Sequence, residues 1–126
     1  MPNPIGSTKT VGWQLGIRKT IQTNQPPEII WQLLTNEEGQ THWNQDNITT
    51  THKPRTHKPN NHLRTPWKMP QWTNTSTLQI RVLQAKTGIT IAIHQEKLQD
   101  QEQRTQMLHH WEAVLEKITR YLQDNL

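Results

Sequence analysis

The chain has no cysteine and no phenylalanine, and a single tyrosine. Without cysteine there is no disulfide, no thiolate nucleophile and no sulfur-ligated metal site. Aliphatic residues are scarce too. Leu, Ile and Val number 25 of 126 residues, just under the roughly one-fifth level that marks disordered chains when net charge is also high. The net charge of +4 is modest, and six tryptophans supply large apolar bodies in place of phenylalanine. A folded domain of marginal stability is expected, with room for one core and not for two. No apolar run is long enough to span a membrane, and the first residues carry no secretory-type apolar stretch, so a cytoplasmic location is expected. Thr, Gln and Asn are abundant; that bias carries no functional reading.

What is present is most informative near the C-terminus. Leu78, Ile80 and Val82 alternate with Gln79 and Arg81, the period-2 pattern of a half-buried strand. Lys86, Thr87 and Gly88 mark a turn, with Gly88 expected to take a positive φ. Ile89, Ile91 and Ile93 then alternate with Thr90, Ala92 and His94. From Asp100 the period becomes helical, with Met107, Leu108, Trp111, Val114, Leu115, Ile118, Tyr121 and Leu122 forming one apolar stripe. Asp100 and Gln103 give a start signal for that helix. Two strands and a helix with one apolar face each must pack helix on sheet.

Earlier in the chain, Trp13, Leu15, Ile17 and Ile21 occupy alternate positions of a first strand, interrupted at an inward-pointing Lys19. Pro26, Pro27 and Glu28 open a helix through Ile29, Ile30, Leu33 and Leu34. Thr35 and Glu38 have the capping-box spacing of a second short helix ending near Trp43. Residues 44–61 hold one aliphatic, Ile48, two prolines and a near-repeat, and read as a mobile polar loop. Leu63, Thr65 and Trp67 alternate as another strand, and Pro66 inside it points to a sheet edge. The basicity is local. Residues 44–70 carry Lys53, Arg55, Lys58, Arg64 and Lys68 against Asp46 alone, and the rest of the chain is balanced.

Several segments in this order carry a family resemblance. They are Gly12–Lys19 (GWQLGIRK), Trp31–Thr35 (WQLLT), Glu38–Trp43 (EGQTHW) and His62–Arg64 (HLR) in the first half. Ala85–Gly88 (AKTG), His94–Leu98 (HQEKL), Glu102–Arg104 (EQR) and Trp111–Ile118 (WEAVLEKI) follow in the second. Together they resemble the SRPBCC (START-like) superfamily, and within it the branch related to the activator of heat-shock-protein ATPase. The resemblance spans the chain, read as one domain over residues 1–126, except the first ten residues, expected to be a flexible tail, and the middle loop. It implies an α+β helix-grip fold: an antiparallel sheet curled around the long C-terminal helix, with an apolar cavity between them. The family usually has two more strands before Leu63. Residues 44–61 are too few for two ordinary strands with their turns, so a shortened sheet is expected.

On that fold the cavity would be walled by Trp13, Leu15, Leu63, Trp67, Ile80, Val82, Ile91 and Ile93 from the sheet, and by Met107, Trp111 and Leu115 from the helix. A packed core accounts for most of these side chains without a ligand; tryptophan and methionine together are the more suggestive lining. His52, His57 and His62 stand five apart in a proline-broken loop and His109 and His110 are adjacent on the helix. Neither pattern converges as zinc requires, and no metal or cofactor is expected. His94 is expected on the solvent side of its strand. No nucleophile–base order, carboxylate pair or phosphate loop stands out.

The resulting expectation is a non-catalytic domain holding a small apolar ligand, lipid-like or aromatic, between sheet and helix. A protein-interaction or co-chaperone-like module is the alternative, in the stress-response setting of the resembled branch, using Lys53, Arg55, Lys58, Arg64 and Lys68. A cyclase- or hydrolase-like enzyme comes third. No nucleic-acid motif accompanies the basic segment.

Overall fold

The structure, a computed structural model, describes the backbone of residues 7–8, 12–35, 56–58 and 62–125 and the side chains of residues 13–35 and 62–124. Its elements in chain order are β1 (Ser7–Thr8), β2 (Gly12–Ile21), α1 (Pro27–Thr35), β3 (Thr56–Lys58), β4 (His62–Trp67), β5 (Ser76–Ala85), β6 (Gly88–Leu98) and α2 (Gln101–Asn125). The strands form one antiparallel sheet in the order β1-β2-β6-β5-β4-β3. The long helix α2 packs across β2 and β6, and α1 against β5. This is the expected α+β helix-grip arrangement.

The alternation read from the sequence sets the faces. Leu15 and Ile21 on β2, Leu78, Ile80 and Val82 on β5, and Ile89, Ile91 and Ile93 on β6 are all buried. They meet Met107, Trp111, Val114, Leu115, Ile118 and Leu122 of α2 in a single apolar cluster. α1 adds Ile30, Trp31, Leu33 and Leu34 to it. Burying each of these aliphatic side chains is worth about 1.5–3 kcal/mol. The inward Lys19 reaches the rim, where its ammonium lies 3.4 Å from Glu116 of α2.

Two of the three expected helix starts fall on described residues, and both are present. Ile29 N–H donates to the Pro26 carbonyl, with Pro27 and Glu28 in the first turn of α1. Asp100 Oδ1 accepts from the Gln103 amide at 2.8 Å, capping α2. Gln103 Oε1 reaches back to the Gln99 N–H at 2.9 Å rather than to that of Asp100, a capping box shifted by one residue.

Three expectations are corrected. Gly88 does not take a positive φ. It is needed because a Cβ there would collide with the backbone carbonyl of Ile21, on the strand paired with β6. The segment expected as a polar loop contains β3, whose three residues pair with His62, Leu63 and Arg64, and whose backbone hydrogen bonds add one strand to the sheet. Pro66 lies beyond that pairing, where among the described residues β5 alone pairs with β4. The expected N-terminal tail is likewise tied down in part, since Ser7 and Thr8 pair with Trp13 and Gly12. The second short helix expected before Trp43 falls outside the described residues.

β6 also carries an irregularity with structural consequences. Trp13 pairs with Leu98 while Leu15 pairs with Gln95, so β6 has one residue more than β2 in this stretch. Lys97 absorbs it at φ 64°, the left-handed conformation that favours glycine. Opposite the bulge, the Gln14 carbonyl accepts from Arg104 Nε of α2 at 2.9 Å. No helix among the described residues is long and apolar enough to cross a membrane.

Candidate functional site

The inner face of the sheet under α2 gathers the expected cavity residues. Leu15, Leu63, Trp67, Ile80, Val82, Ile91, Ile93, Met107, Trp111 and Leu115 are buried in one cluster, and Trp13 packs half-buried at its margin. Within it three indoles come together. Trp67 of β4 lies 5.5 Å from Trp111 of α2 and 5.8 Å from Trp72, ring centroid to centroid, the second pair edge-on at 78°. The His110 ring lies 5.7 Å from that of Trp67, tilted by 46°. Aromatic pairs at these separations add about 0.5–1.5 kcal/mol beyond their area.

Sequence reasoning missed the polar element of this interior. Gln95 of β6 is 0 % exposed. Its Oε1 accepts from Trp111 Nε1 at 2.8 Å, and its Nε2 donates to Ser76 Oγ at 2.8 Å. The Ser76 hydroxyl donates in turn to the Trp67 carbonyl at 2.6 Å. One relay thus links β4, β5, β6 and α2 through the apolar cluster. An unpaired amide there would cost several kcal/mol, so these bonds are what makes Gln95 tolerable. The signal was available: Gln95 continues the odd-numbered inward series Ile89, Ile91, Ile93, and Ser76 heads the even-numbered series Leu78, Ile80, Val82.

Outside, the sheet carries a second polar row. His94 faces out, as expected, and its Nε2 is 2.8 Å from Gln14 Oε1 and its Nδ1 3.4 Å from Gln79 Nε2. Gln79 Oε1 is 3.1 Å from His62 Nε2, which extends the row over four strands. The basic segment is only partly in view. Arg64 pairs with Glu96 at 3.1 Å, and Lys68 donates to the Trp72 carbonyl at 2.8 Å. Lys53 and Arg55 lie outside the described residues, and Lys58 is described only as backbone in β3. Among the described residues no group of three His, Asp or Glu side chains could hold a metal ion.

Among the described residues one charged side chain is buried, Glu96, which Arg64 pairs. Glu116 bridges Lys19 and Arg120 at 3.4 and 3.1 Å. The hydrogen bond from Lys19, then that from Arg120, hold its carboxyl below the ordinary 4.5.

The antiparallel sheet gripping one long terminal helix also recurs in solved proteins. The Aha1 dimer from Colwellia psychrerythraea matches with a TM-score of 0.68 and 16% identity, over 86% of this chain and 95% of that one. The chain has the helix-grip fold of Aha1-like proteins. An AHSA1-like protein from Rhizobium etli superposes equally well, with a TM-score of 0.68 and 16% identity over 90% of this chain and 85% of its own. CalU16 from Micromonospora echinospora gives a TM-score of 0.71 at 13% identity, over 87% and 75% of the two chains. At such identities the likeness concerns the fold. No protein-family profile and no curated protein sequence matches the chain.

Proposed function

We propose that the domain binds a small apolar ligand, lipid-like or aromatic, on the inner face of its sheet beneath α2, without chemistry on it. The reading is carried by Gln95. Among the described residues its amide uses one N–H and one lone pair, for Ser76 and Trp111. An amide has two of each, so among the described residues one donor and one acceptor are left over inside an otherwise mostly apolar, indole-containing cluster. That is the composition of a small-ligand site: mostly hydrophobic wall with few, fixed polar groups. Met107 and the Trp67–Trp111 pair supply adaptable and flat surfaces beside it. Burial of the ligand's apolar area would drive binding.

The protein-interaction alternative has less support, because Arg64 and Lys68 are engaged within the domain. The enzyme reading has less support, because the relay's hydroxyl, Ser76, is buried and engaged with Gln95 and the Trp67 carbonyl, and among the described residues no carboxylate or histidine bonds to it.

The test is a titration of the purified protein with fatty acids, sterols and flat aromatics, read by tryptophan fluorescence and thermal melting. A saturable spectral change with a raised Tm is expected, since a ligand of the folded state alone must stabilise it. Gln95→Met should weaken the response to ligands that carry a polar group more than the response to pure hydrocarbons. No change across the panel would refute the proposal and leave the space as packed core.

A further inference from the structure

The outer face of the sheet contains a hollow of about 610 Å³ lined by Gly16 and Arg18 of β2, Ala92 and His94 of β6, and Gln79 and Arg81 of β5. Its origin is in the register. Gly16 pairs with His94 and His94 with Gln79; in the next row Arg18 pairs with Ala92 and Ala92 with Arg81. The two small residues, Gly16 and Ala92, therefore sit in adjacent rows on neighbouring strands, and the surface sinks between longer side chains. A Cβ built on Gly16 would meet nothing within 4 Å.

Among the described residues lining the hollow the charge is of one sign. Arg18 and Arg81 flank Ala92 from either side, two strand spacings or roughly 9–10 Å apart at the backbone. Both are exposed, and neither has an ion-pair partner among the described residues. Glu96 is the single carboxylate on the described strands, and Arg64 holds it. In the adjacent row stand His94 and Gln79, already fixed by the hydrogen bonds that run from Gln14 to His62. Side chains so fixed lose little freedom when a ligand arrives.

We infer that this hollow is a binding site for a small phosphate ester, its phosphate held between Arg18 and Arg81 and its body seated over Gly16 and Ala92. Guanidinium forks match phosphate oxygens bidentately, and an anion between two unpaired cations neutralises both. The volume falls in the range of about 300–1,000 Å³ that small ligands occupy. The site is independent of the apolar one, which lies on the other face of the sheet.

Phenyl phosphate is the probe, followed by amide NMR shifts and calorimetry. Saturable shifts centred on Gly16, Arg18, Ala92 and His94 are expected, weakening with added NaCl and competed by inorganic phosphate. Arg18→Gln and Arg81→Gln should each weaken binding about tenfold or more without lowering the Tm. Gly16→Leu should fill the hollow, abolishing phenyl phosphate binding while the fold persists. Binding that survives the double R18Q/R81Q variant, or shifts confined to residues 44–61, would overturn the assignment. A tighter response to poly-glutamate than to phenyl phosphate would overturn it in favour of an acidic protein partner.

Discussion

The Gln95–Trp111 bond permits a quantitative test of what the buried relay contributes. Both side chains are 0 % exposed, and their bond length is 2.8 Å. Gln95→Met keeps length and approximate volume but removes the acceptor from Trp111 Nε1–H. Losing a buried partner costs about 1–3 kcal/mol. Burying a thioether in place of an amide returns part of this, so a net loss of about 1–2 kcal/mol is expected. The Ser76 hydroxyl loses a donor but still donates to the Trp67 carbonyl, which adds little. Trp111→Phe removes the donor instead, deserts Gln95 Oε1 and opens a cavity. It should cost more, about 2–4 kcal/mol.

The double variant decides the matter. With neither amide nor indole N–H present, no polar atom of that bond is abandoned, and only the cavity penalty remains. The two effects should therefore fall short of additivity by about 1–2 kcal/mol. Urea unfolding followed by circular dichroism would measure it, with thermal melts as a second readout at roughly 3–5 °C per kcal/mol for a domain of this size. Additivity to within about 0.3 kcal/mol would refute the reasoning. The bond would then be incidental to stability, and the case for Gln95 as a fixed polar group in a ligand site would fall with it.

Gly88→Ala should destabilise by about 2 kcal/mol or more, since the new methyl meets the Ile21 backbone rather than a side chain that could turn away; unchanged urea midpoints would contradict the close approach. Lys97→Gly should stabilise by about 0.5–1 kcal/mol by removing the cost of a side chain at φ 64°, and a lowered Tm would show that the Lys97 side chain contributes more than its backbone costs. Glu116 has a folded carboxyl pKa depressed below 4.5 by Lys19 and Arg120. Its contribution to stability is therefore present above 4.5 and lost as pH falls through the lower folded value. Glu116→Gln should flatten the acid limb of the stability profile, and a carboxyl titration by NMR with a midpoint at or above 4.5 would exclude the contact.

The elements that could be read from the sequence are those whose signal is local. Three strand alternations, the stripe on α2 and the Asp100 cap each depend on residues a few positions apart, and each appears with its faces as expected. The indole cluster was partly legible, because Trp67 and Trp111 lay on apolar faces; Trp72, in the connection between β4 and β5, had no periodicity to place it. The outer hollow was not legible. Gly16, Arg18, Arg81 and Ala92 are individually unremarkable outward positions, and only the placement of β6 between β2 and β5 makes them neighbours. That adjacency joins residues more than 70 positions apart and leaves no trace in any short window. β3 was missed for a related reason. Its three residues are polar, and what makes them a strand is the β4 edge they pair with.

The bulge at Lys97 explains why an inward amide can coexist with an apolar end to the same strand. Along β6, odd-numbered residues face the core through Gln95, yet even-numbered Leu98 is also buried. A regular strand cannot do both, since one residue of slip exchanges the faces. The extra residue switches the parity after Gln95, returning Leu98 to the core opposite Trp13. It also ends the strand two residues before Asp100, where Asn74 and Gln103 exchange amide hydrogen bonds of 3.0 and 2.8 Å. Arg104 closes the opposite strand by binding the Gln14 carbonyl. The strained lysine, the helix cap and the buried relay thus belong to one piece of construction. α2 leaves the sheet at a fixed point, so Trp111, nearly three turns along, arrives over Gln95. A shift of one residue in that exit would rotate α2 by about 100° and carry the indole away from the Gln95 acceptor.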